Sequence, residues 1–376
     1  MRASFQPARL KQARALRRLT LAELGEKIEV TRQSLSQFEN AERSPAPETL
    51  DRLAVALGVP PAFFLRPVGE LESSARSLVH YRSLRRTRDI VRERERSSAL
   101  LDLGAALVDT LEQRIEFEYS QVPDLDLEDA LKADDEAVEM LAQETRKALR
   151  IGEGPISDMT LLVENQAVPI LYMSLPDGMD GLSAWYGSRP IIAVSSDAPR
   201  CRSRLNVAHE YGHLIMHRAV DGGELDIETF KHVEHQAWRF AGAFLMPAKS
   251  FLAEVYSVSL DALLALKKRW GVSVAAMVRR LSDLMVINDS QTKHLQIQIS
   301  QRAWRKREPG DDEPREKAQL LSTAARFLEE QGELSLHALA EESKLPVEFV
   351  ANALDVPREA LLPPAPENVV QFRIRK

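Results

Sequence analysis

Leu205-Asn206-Val207-Ala208-His209-Glu210-Tyr211-Gly212-His213-Leu214-Ile215-Met216-His217 is the most informative stretch of this chain. Read as a helix, it puts His209 and His213 one turn apart on one face, where both imidazoles can grip a single zinc ion. Glu210 stands beside that face. It can take a proton from a water on the metal and later return it to a leaving amine. A metal helix must be buried, and the flanks Val207-Ala208 and Leu214-Ile215-Met216 are apolar. His217 lies about 12 Å from His209 along the axis. It cannot share the ion with both other histidines and reads as a supporting residue.

A catalytic zinc takes three protein ligands and leaves one position open. A second helical pattern offers the third: Glu234-His235-Gln236-Ala237-Trp238-Arg239-Phe240-Ala241-Gly242-Ala243-Phe244-Leu245-Met246-Pro247. Ala237, Phe240, Ala241 and Phe244 form its inward face, and Glu234 lies one turn before Ala237 on that face. His235 and His232 are the alternatives.

Around these helices the texture is mixed. Stretches 168–173 and 190–195 are short, branched and apolar and read as strands, with turns at Asp177-Gly178 and Asp180-Gly181. Helices are expected at about 204–217, 229–245 and 259–285. Residues 70–150 read as long helices rich in Arg and Glu, broken near Val122-Pro123-Asp124. The charged segment 305–315, with Pro309-Gly310 and Pro314, reads as a linker to a helical region at 317–362 and a loose tail. The expected fold is mainly α with a small β-sheet. It divides into an N-terminal all-α domain (1–67), a helical connector (68–154), a central α+β zincin-like domain (155–288) and a C-terminal helical region (289–376).

The N-terminal domain has its own signature. Thr20 caps Leu21-Ala22-Glu23-Leu24-Gly25-Glu26-Lys27-Ile28, and Glu23 completes a capping box. Glu29-Val30 is a short turn. Thr31 then caps Arg32-Gln33-Ser34-Leu35-Ser36-Gln37-Phe38-Glu39, whose Leu35 and Phe38 point inward. Two short helices with a tight turn let the second enter a major groove. Arg32, Gln33, Ser36 and Gln37 point outward, and Arg and Gln can read base edges with paired hydrogen bonds. Thr31 at the cap joins the candidate contact set, as do Asn40 and Arg43, which with Ser44 face phosphates.

Bulk properties agree. The 376 residues are enough for two or three domains. A single cysteine, Cys201, excludes an internal disulfide or a Cys-rich zinc finger and fits a reducing cytoplasm. Any metal must therefore sit on His and carboxylates. No apolar run is long enough to cross a membrane, and residues 1–6 lead into a charged helix, so no signal peptide is expected. The net charge of −6 argues against coating nucleic acid. Residues 1–66, however, carry 11 Lys and Arg against 7 Asp and Glu, which suits a domain that meets phosphates. The arginine-rich run 82–96 is either a DNA-side extension or a solvated helix face.

Residues 6–66 resemble the Cro/repressor-type (XRE) helix-turn-helix family. Helix lengths, turn position and the run Ser36-Gln37-Phe38-Glu39-Asn40-Ala41-Glu42-Arg43 agree together. The His209–His213 helix, the Glu-x-x-Ala-x-x-Phe-Ala-x-x-Phe-Leu-Met-Pro helix and Asp180-Gly181-Leu182-Ser183 together look like the ImmA/IrrE (M78) metallopeptidase family, over residues 155–285. That family is linked to control of repressors in stress responses and mobile elements, some members cleaving a repressor. The resemblance implies zinc on His209, His213 and Glu234, with Glu210 catalytic. Tyr211 stands where Leu or Phe is commoner, and Trp238 replaces a usual Asn, so packing near Glu234 must differ.

Two later segments, 263–281 and 335–354, repeat the apolar spacing of the first two-helix corner. They read as further DNA-binding units or as corners that share that spacing, with docking or dimer formation favoured for 335–354. The expected function is a cytoplasmic, dimeric regulator of transcription that binds double-stranded DNA. Its zinc peptidase domain cuts a repressor, another protein or the chain itself under stress. The alternative is a regulator whose metal domain is a sensing or partner-binding scaffold without turnover.

Overall fold

The computed structural model describes residues 4–69, 75–76, 88–117, 121–123, 130–175, 179–218, 220 and 225–363. At the N-terminal end, helices α1 (Pro7–Leu16), α2 (Leu21–Ile28), α3 (Arg32–Glu39) and α4 (Pro47–Leu57) close over Leu10, Leu24, Leu35, Leu53 and Phe63. The capping box is formed: the Glu23 amide donates to Thr20 Oγ1 (3.1 Å), and the Thr20 amide donates to Glu23 Oε2 (2.6 Å). Glu29 ends α2 in the left-handed region (φ 54°). The turn also demands a glycine one helical turn earlier, because a Cβ on Gly25 would lie 2.4 Å from the Val30 carbonyl oxygen. Arg14 then ties α1 to the end of α3 through both carboxylate oxygens of Glu39 (2.7 and 3.0 Å).

The centre of the molecule is a small sheet. Strands β1 (Ala75–Arg76), β2 (Ile170–Met173), β3 (Gly181–Tyr186) and β4 (Arg189–Ser195) lie in the order β1-β3-β4-β2. β3 and β4 form an antiparallel hairpin, and β2 runs parallel to β4. The turn expected at Asp180-Gly181 is corrected: Gly181 opens β3. Its Gly-Leu-Ser-Ala-Trp-Tyr sequence lacks the branched residues that mark a strand, and cross-strand pairing overrides that weak preference.

Side chains alternate across this sheet. Leu171, Leu182, Ala184, Tyr186, Ile191 and Ala193 enter one core, whereas Ile170, Tyr172, Trp185, Ile192 and Val194 enter another. On the first side lies α5 (Arg88–Glu112), whose Leu101, Ala105, Leu107, Val108 and Leu111 are buried almost all round. It touches α1, β3, β4 and the C-terminal helices at once. Contact with the sheet is close: a Cβ on Gly104 would meet Leu171 Cδ1 at 2.5 Å. Near its start, Glu93 pairs with Arg18, and Arg92 stands 3.9 Å from Glu23. The described part of the arginine-rich run therefore meets the N-terminal domain, while 82–87 lie outside the described residues.

On the second side lie α6 (Asp135–Ala148), α7 (Met159–Glu164), α8 (Arg200–Met216), α9 (Ile227–Leu245) and α10 (Ala248–Glu254). The corner α11 (Leu260–Trp270) and α12 (Val274–Asp283) follows, and then α13 (Asp289–Gln301). The last helices are α14 (Leu320–Glu330), α15 (Leu336–Ser343) and α16 (Val347–Leu354). The corner α15–α16 copies α2–α3 in helix length and in the left-handed residue between the helices, Lys344 (φ 55°). Its second helix nevertheless packs on β2, and α12 buries Met277, Val278 and Arg280. At the position of Ser36 both later corners are buried, at Val278 and Ala351, so part of the face that α3 leaves open is used there for packing, while Ala275, Arg279, Glu348 and Asn352 stay exposed.

The segment expected to be a linker is instead a strap, exposed along most of its length but anchored by the buried carboxylates of Glu308 and, just beyond it, Glu316. Glu308 accepts hydrogen bonds from the Val274 amide (2.9 Å) and Lys267 Nζ (3.1 Å), at the start of α12. Glu316 accepts from the Met159 and Thr160 amides (3.0 and 2.9 Å) at the start of α7, and pairs with buried Arg204. In return Glu164, at the end of α7, accepts from the Gln319 amide (2.7 Å) at the start of α14. Carboxylates at helix N-termini are favourable, and here Glu316, just ahead of α14, serves the start of α7 while Glu164, at the end of α7, serves the start of α14. Prolines and charges resemble a linker until their partners, more than a hundred residues away for Glu316, are known.

Burial pushes the Glu164 carboxyl up to about 7 from an ordinary 4.5, against the pull of the amides it accepts from. The unfolded chain ionises this group near 4.5, and the folded chain does so only near 7. Stability from this group is therefore lost as pH rises between those values and is level above them. Thermal melts of Glu164→Gln should lack that decline and show the variant more stable above pH 7 by up to about 3 kcal/mol. Parallel pH profiles for the two proteins would contradict this.

Candidate metal centre

Helix α8 carries both histidines into the second core, and their placement needs two close approaches. A Cβ on Gly212 would lie 2.8 Å from Phe240 Cδ1, so a larger residue would wedge α8 from α9. A Cβ on Gly181 would lie 2.8 Å from Glu210 Oε1, so β3 passes directly over the Glu210 carboxyl.

His209 Nε2 and His213 Nε2 stand 3.1 Å apart. From α9, Glu234 brings Oε1 to 3.2 Å from His213 Nε2 and Oε2 to 3.6 Å from His209 Nε2. Donors in a tetrahedral site with bonds of 2.0–2.1 Å stand about 3.3 Å apart. The triangle of two imidazoles and one carboxylate thus has the size and chemistry to hold a divalent ion. Among the described residues it is the one group of three or more His, Cys, Asp or Glu side chains able to do so. Of the alternatives, His235 is occupied with Asp135 Oδ1 (2.8 Å), and His232 lies 3.0 Å from Gln236 Nε2.

A relay of hydrogen bonds fixes the tautomer of His213. Gln236 Nε2 faces two backbone carbonyls, Ala130 O (2.7 Å) and Ala133 O (2.9 Å), which can only accept. Its Oε1 therefore accepts from His217 Nε2 (2.9 Å). His217 Nδ1 is then an acceptor, and His213 Nδ1–H donates to it (2.9 Å). That leaves the lone pair of His213 Nε2 facing Glu234 and His209, as metal ligation requires. Burial keeps both rings neutral: the His213 pKa is held well below its ordinary value, and that of His217 falls to about 4. His217 thus supports the centre through its neighbour. Trp238 packs on the His209 ring (centroids 4.0 Å apart), which gives the large residue at that position an orienting contact.

Glu210 lies on the side facing β3, where the Ser183 hydroxyl donates to its Oε2 (2.7 Å). Burial, reinforced by Glu234 and Asp180, raises its carboxyl to about 8 despite that hydrogen bond. Such a group is poised to exchange a proton near neutrality. The sequence had no local sign of the Ser183 or Gln236 roles. Alternation along β3 could have pointed Ser183 to the α8 side, whereas the carbonyls that fix Gln236 are more than a hundred residues away.

At the other end of the chain, Thr31, Arg32, Gln33, Asn40 and Arg43 are exposed and Ser36 and Gln37 are half-buried, so α3 presents one polar face. Thr31 Oγ1 is engaged in capping α3, accepting from the Ser34 amide (3.1 Å).

Residues 163–282 match the family model Peptidase_M78, the IrrE N-terminal-like domain, and residues 10–64 match HTH_3, a helix-turn-helix. The chain joins an XRE-type helix-turn-helix to an IrrE-like domain. No curated protein matches it. No described helix is long and apolar enough to cross a membrane.

Two substitutions probe this centre. Gln236→Ala frees the relay without touching a donor, and affinity for an added divalent ion, with Zn2+ as the probe, should fall about 10–100-fold in chelator competition; wild-type affinity would mean that the relay does not orient His213. The Tyr211 hydroxyl is buried with no hydrogen-bond partner among the described residues. Tyr211→Phe should therefore raise stability by about 1 kcal/mol in denaturant titrations, and a loss would reveal a partner.

Proposed function

We propose that this XRE–IrrE fusion is a DNA-binding transcription regulator whose second domain is a zinc-dependent peptidase. Its target is a repressor or the chain itself, cut in response to stress. The observation that carries the proposal is the triangle of His209, His213 and Glu234, with Glu210 held beside it by Ser183.

In this mechanism the three donors hold zinc. Bound there, zinc supplies Lewis acidity toward a peptide carbonyl and acidifies water. Glu210 accepts the proton of the attacking water and passes it to the leaving amine. The Ser183 hydroxyl holds the carboxyl in place between them. At the DNA end, Arg32, Gln33, Ser36 and Gln37 meet base edges, with Thr31, Asn40 and Arg43 at the margins of the contact. One such unit reads one half-site, so the working form is a homodimer.

Glu210→Gln tests the enzyme reading against the scaffold reading. The variant should keep stoichiometric zinc and operator binding. Cleavage of the target should drop by about 10²–10⁴-fold, with derepression in cells lost. A variant that regulates like the wild type would establish the scaffold instead.

A further inference from the structure

A cleft of about 690 Å³ lies beside the metal centre and shares its neighbours Trp238 and Asp180, although the three donors and Glu210 do not line it. On the side nearest the metal centre are Trp238, which packs at a tilt on His209, and Asp180, which neighbours Glu210. Its lining includes the small residues Gly242, Ser273, Ala275 and Ala276, beside Met246, Arg279 and Arg280. The far wall is Trp304 and Arg305, from the strap. These two residues lie beyond the stretch that matches the IrrE-like domain, so the C-terminal region completes the cleft.

Helix α8 gives the cleft a scale. Arg202, Leu205, Asn206 and His209 recur at helical spacing and share one face, so that face runs from the strap to the metal. Arg202 lies about 10 Å from His209 along the axis at 1.5 Å per residue. An extended peptide covers that distance in about three residues.

The charges along the cleft are unequal in their freedom. Glu308 and Asp311 are both engaged by Lys267 Nζ (3.1 and 2.5 Å). Arg280 is buried against Glu139, and Arg279 pairs with Asp283 (2.9 Å). Arg202 and Arg305 differ from these. Both are exposed, and among the described residues neither has a carboxylate partner. Arg202 donates to the Arg305 backbone carbonyl (2.9 Å), and Arg305 donates to Ser300 Oγ (2.6 Å). The first bond ties Arg202 to the backbone of Arg305, so both residues sit at one end of the cleft, and each guanidinium keeps further N–H groups open. A planar guanidinium with spare donors matches a carboxylate.

We infer that the substrate peptide lies in this cleft and that Arg202 and Arg305 form a subsite for an acidic side chain about three residues from the scissile bond. The inference rests on the peptidase reading above. Charge-assisted hydrogen bonds of this kind contribute about tenfold or more in affinity.

The test uses full-length, zinc-loaded Glu210→Gln protein and a fluorescein-labelled library of randomised peptides. The bound fraction should be enriched in Asp or Glu at one position. Adding Arg202→Glu with Arg305→Glu should weaken the selected peptides about tenfold and turn that position toward Lys or Arg. The milder pair Arg202→Gln with Arg305→Gln should abolish the preference without reversing it. Bound peptides with no acidic preference, or a preference indifferent to charge reversal, would overturn the subsite and leave the peptidase reading standing. A zinc-loaded protein that binds no peptide would overturn both.

Discussion

The short central sheet is apolar on both faces, and neither face can be left to water. That constraint organises the molecule. Alternate side chains of β2, β3 and β4 feed two separate cores, so every other element has to choose a side. Helix α5 takes one face and with it the DNA-reading helices and the C-terminal corner. Helices α8 and α9 take the other face and with it the metal centre. Strand β3 serves both: Leu182 and Tyr186 go to the α5 side, while Ser183 reaches Glu210 across the other.

The metal centre illustrates how burial prepares a site before any ion arrives. Imidazoles removed from water lose their charged forms, and the Gln236–His217 relay then selects which nitrogen carries the proton. The same desolvation acts on Glu210 in the opposite sense, keeping its proton on to about 8. One dry environment therefore produces neutral donors and a weak acid side by side, provided that Gly212 and Gly181 let the backbones come close enough.

Much of this was legible in the sequence, and the reasons are local. A histidine pair four residues apart, or Thr20 followed by Glu23, is a statement about one helical turn and needs nothing else. Glu234 was approachable through the inward face of its own helix, although that face left His235 and His232 open. What stayed hidden depends on partners far along the chain. The carbonyls of Ala130 and Ala133 orient Gln236 from a different element. The strap reads as a charged linker because Lys267 and Arg204, which let Glu308 and Glu316 be buried, are not its neighbours in sequence. Strand β3 stayed hidden for a third reason: Gly181-Leu182-Ser183-Ala184 have little strand preference, Trp185-Tyr186 alone are too short a run to mark a strand, and pairing with β4 supplies the rest.

Helix α5 is enclosed almost all round, and this has a geometric corollary. An α-helix advances 1.5 Å and turns 100° for each residue, so slipping α5 by one position would drive its apolar stripe out of every neighbour simultaneously. Its close fit against the sheet, where a methyl at Gly104 would press on the tip of Leu171, adds to that resistance. The reading head is seated on this helix through α1 and Arg18. In a dimer, the separation between two heads would then follow from the shape of the bodies beneath them. Operators read by such a pair would tolerate changes in half-site sequence more readily than an added or deleted base pair between the half-sites.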